Sequence, residues 1–110
     1  MKNTLIVTVT LFALGVFTFI AQAADMKEAL DGKTEFENHC GSCHPNGGNK
    51  VNPAKPLYKA TLEQNGIKTW KDGVAKMRNP GPGMTKFLKE DISDQEAKVI
   101  TNYILATFQY

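Results

Sequence analysis

The sequence has few of the residues from which metal sites and disulfide frameworks are built. Its 110 residues include two cysteines, two histidines and one tryptophan. A structural zinc site needs four ligands, and there is no second pair of cysteines to complete one. A thioredoxin-like redox motif lies beside a strand–helix–strand pattern, and no such pattern is visible. One short cluster of reactive side chains, at residues 39–44, is therefore left to explain.

An excess of one charge is also missing. Thirteen basic residues are balanced by 11 acidic ones, the formal net charge is +2, and no long basic run occurs. Nucleic-acid-binding domains carry a basic patch or stripe, so nucleic acid is excluded as a partner. The chain also lacks internal repeats and the alternating pattern of half-buried strands. These absences favour one small, nearly all-α domain.

Residues 1–23 have the features of a secretory signal peptide. Lys2 supplies the positive start, residues 5–20 are largely apolar, and Ala21-Gln22-Ala23 is a small-x-small cleavage site. The apolar run is shorter than the roughly 20 residues that span a bilayer, although an uncleaved anchor is the alternative. We expect cleavage after Ala23, a mature domain at residues 24–110 in the periplasm, and no stable membrane span.

The segment Cys40-Gly41-Ser42-Cys43-His44 is the central motif of the chain. Two thiols three residues apart, with a histidine directly after the second, form the attachment pattern for c-type haem. Each thiol can add to one vinyl group of the porphyrin, and His44 can supply the proximal iron ligand. Two other uses of the cysteines remain open, namely a redox-active or structural disulfide and a share in a metal site.

A second motif, NPGPGM, occupies residues 79–84. Its two prolines and two glycines exclude a helix and favour a fixed loop. A methionine there has little helical face to fill, so Met84 is predicted to place its thioether on the iron opposite His44. Met77 is the rival ligand, but its helical setting favours packing in the core. Met26 is a weaker candidate because it lies near the new N-terminus.

Three further residues are predicted to lie near the haem. A ligating histidine donates its second ring N–H to a carbonyl, and the carbonyl of Pro53 is the predicted acceptor, although Pro53 could be only a turn former. Trp70 either contacts the haem or is a partly buried core aromatic. His39 shares a short segment with Cys40, so we expect it at the surface or beside the site rather than on the iron.

Periodicity and capping signals predict four helices, at residues 33–43, 56–65, 69–78 and from 93 to about 108. Ser93 and Glu96 form a capping box at the start of the last helix. Its apolar stripe includes Tyr103, which we expect near Phe36 of the first helix. The predicted fold is all-α, with about four helices around one covalently attached haem.

Residues 32–108 resemble the class I monohaem cytochromes c, particularly the cytochrome c6 and c553 type. The resemblance also extends to monohaem cytochromes of this type from metal-reducing bacteria. It is carried by Cys40–His44, Gly47-Gly48-Asn49, Val51, Pro53, Lys55, Leu57, Leu62-Glu63-Gln64, Asn79 through Met84 and the last helix. It implies a small cytochrome c fold. It also implies that Cys40 and Cys43 bind haem c covalently, that His44 and Met84 ligate the iron, and that Pro53 provides the carbonyl.

With both axial positions filled, the iron has no open site for a substrate, so we expect a one-electron carrier and not an enzyme. Its partners would be a donor and an acceptor protein, and we expect a monomer. Five lysines are candidates for steering an acidic partner: Lys50, Lys55, Lys59, Lys86 and Lys89. Two alternatives remain, a haem enzyme or gas-binding sensor with a displaceable sixth ligand, and a thiol protein without haem.

Overall fold

A computed structural model describes residues 29–110 of the chain. Within this range the elements are α1 (Gly32–His39), a 3₁₀ turn (Pro45–Gly47), α2 (Lys59–Gln64), α3 (Trp70–Arg78) and α4 (Asp94–Thr107). None of residues 29–110 forms a strand, and none of these helices has the length and apolarity to cross a membrane. The predicted four-helix, all-α fold is confirmed. The predicted signal peptide, its cleavage site and Met26 lie outside the described residues.

Helix α4 is the element on which the other parts of the core are packed. Its apolar stripe buries Ile100, Ile104 and, just beyond its end, Phe108. The ring of Phe36 in α1 lies 5.4 Å from that of Tyr103 and 5.5 Å from that of Phe108, as expected for offset aromatic packing. The predicted contact between Phe36 and Tyr103 is thereby confirmed.

Side-chain caps begin α3 and α4 where the sequence predicts them. The hydroxyl of Thr69 accepts from the N–H of Asp72, whose carboxylate accepts from the N–H of Thr69. Ser93 and Glu96 make the same reciprocal pair, so each box satisfies two N–H groups that the helix leaves free. Hydrogen bonds from Ser93 hold the pKa of Glu96 below its usual value. This cap therefore contributes at neutral pH and weakens as pH falls through the lowered pKa.

Helix α1 ends at His39, four residues before the predicted end at residue 43. The N–H groups of Cys40 and Gly41 both donate to the carbonyl of Phe36, at 2.8 and 2.9 Å. Sharing one acceptor tightens the chain at the helix end, and residues 40–43 continue as turns. The haem-attachment motif thus follows the helix instead of lying within it.

Helix α2 begins at Lys59 and not at residue 56 as predicted. Tyr58, which precedes it, is extended, and the N–H of Lys59 donates to the carbonyl of Phe108 at 2.9 Å. The start of the helix is therefore set by a contact with the far end of the chain. Gly66 follows the C-cap residue of α2 and has a φ of 77°, as a left-handed helix stop requires.

Two glycines let α1 and α3 approach α4 closely. A Cβ on Gly32 would collide with the backbone carbonyl oxygen of Val99 and would lie 2.9 Å from the Cβ of Tyr103. A Cβ on Gly73 would collide with the side-chain methyl of Thr101. The first neighbour is rigid backbone and the second is a side chain, so the two positions tolerate a methyl group differently.

We therefore expect Gly32→Ala to destabilise the protein by about 3 kcal/mol, at the upper end of overpacking costs. Gly73→Ala should cost about 1 kcal/mol, because the helix propensity of alanine offsets part of the collision. The control is Asn102→Ala, at an exposed position of α4; its effect should stay within about 0.5 kcal/mol. Urea unfolding of the three variants measures these differences, and equal stability of Gly32→Ala and Asn102→Ala would contradict the packing argument.

Candidate haem site

A cavity of about 630 Å³ lies among the turns after α1, helix α2 and the loop before α4. Its volume falls within the roughly 300–1,000 Å³ that is usual for cofactor sites. Four of the six predicted site residues line it, namely Cys40, Cys43, His44 and Met84. The CxxCH motif and the proline-rich loop, distant in sequence, therefore face one space. A smaller cavity of about 250 Å³ beside α2 contains none of the six.

The other walls of the large cavity fit a porphyrin. The apolar side chains that line it include Leu57, Leu62, Ile67 and Phe87, and Leu62 is also part of the buried core. Apolar walls exclude water from a flat macrocycle, while an imidazole, a thioether and two thiols are the groups that hold haem c in proteins. The donor set and the walls therefore match a covalently attached haem.

The turns after α1 direct both cysteines to this cavity. The N–H groups of Cys43 and His44 donate to the carbonyl of Cys40, at 3.2 and 2.8 Å. The two cysteines are not joined in a disulfide; Cys43 is exposed and Cys40 is half-buried. Burial raises the pKa of the Cys40 thiol to about 11, because a thiolate loses hydration there.

The imidazole of His44 is oriented by a backbone carbonyl. Its Nδ1 lies 2.8 Å from the carbonyl oxygen of Gly48. A carbonyl can only accept, so Nδ1 carries the proton and the Nε2 lone pair is left free for a metal. The acceptor is the carbonyl of Gly48, whereas the sequence analysis predicted that of Pro53. Left-handed backbone at Asn46 and Gly47 turns the chain back so that Gly48 lies against the imidazole ring.

Pro53 lies instead in an exposed loop that closes on itself. The Asn49 amide donates to the carbonyl of Lys55 at 2.9 Å, and its oxygen accepts from the N–H groups of Val51 and Asn52. Val51 reaches across the cavity mouth, where its side chain would lie 2.7 Å from a Cβ at Gly83. The loop therefore supports the segment that carries Met84 but does not present Pro53 to the histidine.

The two candidate methionines occupy different environments. Met84 is half-buried and lines the cavity, whereas Met77 is 6% exposed and belongs to the core. Its place in the core matches the role that the sequence favours for Met77. Only Met84 of the two faces the same space as His44.

Trp70 and His39 lie at the periphery. Trp70 is not among the residues that line the cavity. It is a half-buried aromatic whose ring lies 4.8 Å from the Lys98 ammonium, and its contact with the haem stays a prediction. His39 lines the cavity edge, with its Nε2 3.4 Å from a Glu35 carboxylate oxygen. Glu96 lies in the same cluster. These contacts hold the His39 ring to the side of α1.

Sequence reasoning missed two residues that shape the site, Gly48 and Arg78. Gly48 is signalled only by the turn composition around it. Arg78 immediately precedes the NPGPGM motif, but its acceptors include the backbone carbonyls of Phe87 and Leu88. No side-chain pattern reveals such acceptors.

The chain is similar to several known cytochromes. A family model described as cytochrome C oxidase, cbb3-type, subunit III matches residues 27–104. Cytochrome c6 of Rippkaea orientalis is 40% identical over 79 residues, which cover 72% of this chain and 70% of that protein. Cytochrome c6 of Synechocystis is 36% identical over 97 residues, covering 86% and 78%.

Solved structures agree with this relationship. Outer membrane cytochrome F (OmcF) of Geobacter sulfurreducens is 47% identical, with a TM-score of 0.69 over 70% of this chain and 98% of that one. Cytochrome c6C of Synechococcus is 29% identical, with a TM-score of 0.65. The protein accordingly carries one covalently bound haem c and acts as an electron carrier between redox proteins, not as an enzyme. The chain belongs to the cytochrome c6-like class I c-type cytochromes.

Proposed function

We propose that this protein is a periplasmic one-electron carrier whose haem iron is held between His44 and Met84. Cys40 and Cys43 would form the two thioether links. The observation that supports this proposal is that these four side chains line one cavity with apolar walls. When bound, the haem supplies reversible cycling between ferric and ferrous iron.

Each protein group has a distinct task. The carbonyl of Gly48 keeps the proton of His44 on Nδ1, which leaves Nε2 as the axial donor. The thioether of Met84 is a soft donor that favours ferrous iron and so raises the reduction potential. With both axial positions filled by protein, no position on the metal is open to a substrate. The apolar side chains of Leu57 and Phe87 exclude water from the cavity.

The address of the protein is part of the proposal. Residues 1–23 would be a signal peptide removed after Ala23, and residues 24–110 would form the mature domain. The support is the order of charge, apolar run and small residues at the N-terminus. We propose that the exported domain is a monomer that meets its donor and acceptor in the periplasm.

Optical and NMR spectra of the purified holoprotein test the axial ligands. We expect a low-spin ferric spectrum, strongly shifted methyl protons from one methionine in the ferrous protein, and assignment of that methionine as Met84. The ferrous protein should not bind carbon monoxide readily. A high-spin ferric spectrum with ready carbon monoxide binding would instead identify a displaceable sixth ligand, as in a sensor or haem enzyme.

Positive charge at the cavity mouth should accelerate reaction with anionic partners. Lys55 lines the cavity and Lys86 is exposed two residues after Met84. We expect Lys55→Glu combined with Lys86→Glu to slow oxidation of the ferrous protein by ferricyanide about tenfold or more at low salt. The difference should shrink as salt screens the charges.

The control has the same change in net charge away from the cavity. Lys68 and Lys71 are exposed and do not line it, so reversing both should have a much smaller effect. Equal slowing by the two double variants would show that the rate depends on net charge and not on the position of Lys55 and Lys86 at the cavity mouth.

A further inference from the structure

We propose that Arg78 is a positioning residue that fixes the base of the Met84 loop and so slows the departure of the Met84 thioether from the iron. The proposal rests on the function proposed above, because it requires Met84 to be the ligand. By the Met84 loop we mean residues 79–87, between the end of α3 and the turn before α4.

The Arg78 guanidinium joins both ends of this loop. Arg78 is the last residue of α3, so one end of the loop is covalently continuous with it. Its Nη1 donates to the carbonyls of Phe87 and Leu88 at 3.2 and 3.0 Å, where the loop ends. Its Nη2 donates to a carboxylate oxygen of Asp94, the first residue of α4, at 2.9 Å. One planar group therefore connects α3, the loop end and α4.

The surroundings make this contact more than a surface ion pair. The Arg78 side chain is only 21% exposed, and its Nε is buried without a hydrogen-bond partner among the described residues. Burying that N–H is unfavourable, so the other nitrogens must hold the side chain in place. Lys89, by contrast, is 72% exposed and reaches only Asp94. Arg78 alone of the two cations touches the loop backbone.

The loop itself has little internal support. Within residues 80–86, the described chain shows one hydrogen bond, from the Met84 N–H to the carbonyl of Gly81, and it is long at 3.5 Å. Gly83 has a φ of 87°, so this part of the loop is not regular structure. The N–H of Phe87 donates to the carbonyl of Met77 at 3.0 Å, next to the Arg78 contacts. Apart from the contact of Val51 with Gly83, the position of Met84 therefore depends on the closure at the base of the loop.

Loss of the guanidinium should leave Met84 able to bind iron but quicker to leave it. Two carbonyls would lose a charged donor, and the loop would open more often from its base. The expected signature is kinetic, namely faster replacement of Met84 by an added ligand. A role in overall stability alone would give a different signature, in which replacement follows global unfolding.

The experiment measures the rate at which imidazole displaces methionine in the ferric holoprotein, through loss of the far-red sulfur-to-iron absorption band. Arg78→Gln should react about tenfold faster or more, the size expected for loss of hydrogen bonds from a charged donor. Displacement in Arg78→Lys should be accelerated similarly, because an ammonium keeps the charge but lacks the planar, forked set of N–H donors of a guanidinium. This variant also serves as the test if Arg78→Gln gives no folded holoprotein.

Three matched variants separate the possible causes. Lys89→Ala removes only the exposed Lys89–Asp94 pair and spares every Arg78 contact, so its rate should stay within about twofold of wild type. Asp94→Asn keeps an oxygen that can accept from Arg78 Nη2 and spares the carbonyl contacts, so its acceleration should be smaller than that of Arg78→Gln. Gly73→Ala lowers global stability without touching the loop, and it should also leave the rate nearly unchanged. Acceleration by Gly73→Ala equal to that of Arg78→Gln would overturn the proposal in favour of a purely structural role.

The failures of the two proposals are distinguishable. A wild-type spectrum without the sulfur-to-iron band would overturn Met84 ligation, and the positioning role with it. A wild-type protein with the band, but with both Arg78 variants displaced at the wild-type rate, would overturn the positioning role alone.

Discussion

Replacing both Cys40 and Cys43 by alanine is expected to abolish covalent haem and to leave most of the chain unfolded. The first effect follows because no thiol remains to add to the porphyrin. The second follows because a small domain buries a low fraction of its apolar surface, and the haem would cover the apolar side chains that line the cavity. Haem staining after denaturing electrophoresis and far-ultraviolet circular dichroism measure the two effects.

The cavity is the reason for expecting a large contribution of the haem to folding. A cavity of about 630 Å³ separates the turns after α1 from the Met84 loop. Without the macrocycle, apolar residues such as Leu57 and Phe87 would face water, and the metal that we propose for His44 and Met84 would not join the two segments. Binding to the native state alone stabilises a protein by mass action, and a covalent link makes that gain permanent.

The control for this variant lies in the same turn. Ser42 is exposed between the two cysteines, so Ser42→Ala should keep normal haem content and helical signal. Each single cysteine variant should keep one link and lower the yield. A double alanine variant that retained haem through acid extraction and denaturation would contradict attachment at these two positions.

Met84→Leu is expected to produce the second large effect, a change of spin state and potential with the fold retained. Leucine has nearly the volume of methionine, so packing should change little, but it offers no donor to iron. We expect high-spin ferric iron, ready binding of carbon monoxide to the ferrous form, and a lower reduction potential. A fall of at least about 60 mV, tenfold in a one-electron equilibrium, is expected.

Met77→Leu is the matched control, because the same change is made at a methionine that is 6% exposed in the core. It should cost less than about 1.5 kcal/mol in stability and leave the spectrum and potential unchanged. Redox titration and spectra of the two variants decide between the methionines. Wild-type ligation in Met84→Leu together with altered ligation in Met77→Leu would reverse the assignment.

The sequence predicts helix ends well where the cause is local. Thr69 and Ser93 each find their capping partner three residues along the chain, so a short stretch of sequence contains the whole arrangement. The end of α1 and the start of α2 have no such local cause. The first depends on a shared carbonyl at Phe36, and the second on a contact between Lys59 and the distant Phe108.

The same distinction applies to the site. The CxxCH spacing and the proline-rich loop are local patterns, and they predict Cys40, Cys43, His44 and Met84 as the residues of one site. The partner of His44 depends instead on two left-handed residues that bring Gly48 under the ring. The place of Trp70 depends on Lys98 of α4, which lies 4.8 Å from its ring. Such contacts arise only when distant segments pack together.

Mass spectrometry of the peptide that contains residues 40–44 tests the central claim most directly. The protein should be matured in a host with c-type haem assembly, acid-extracted to remove free haem and digested with a protease. We expect this peptide to carry the added mass of one haem, with both cysteines resistant to alkylation. A peptide with unmodified mass and two alkylated cysteines would contradict the account.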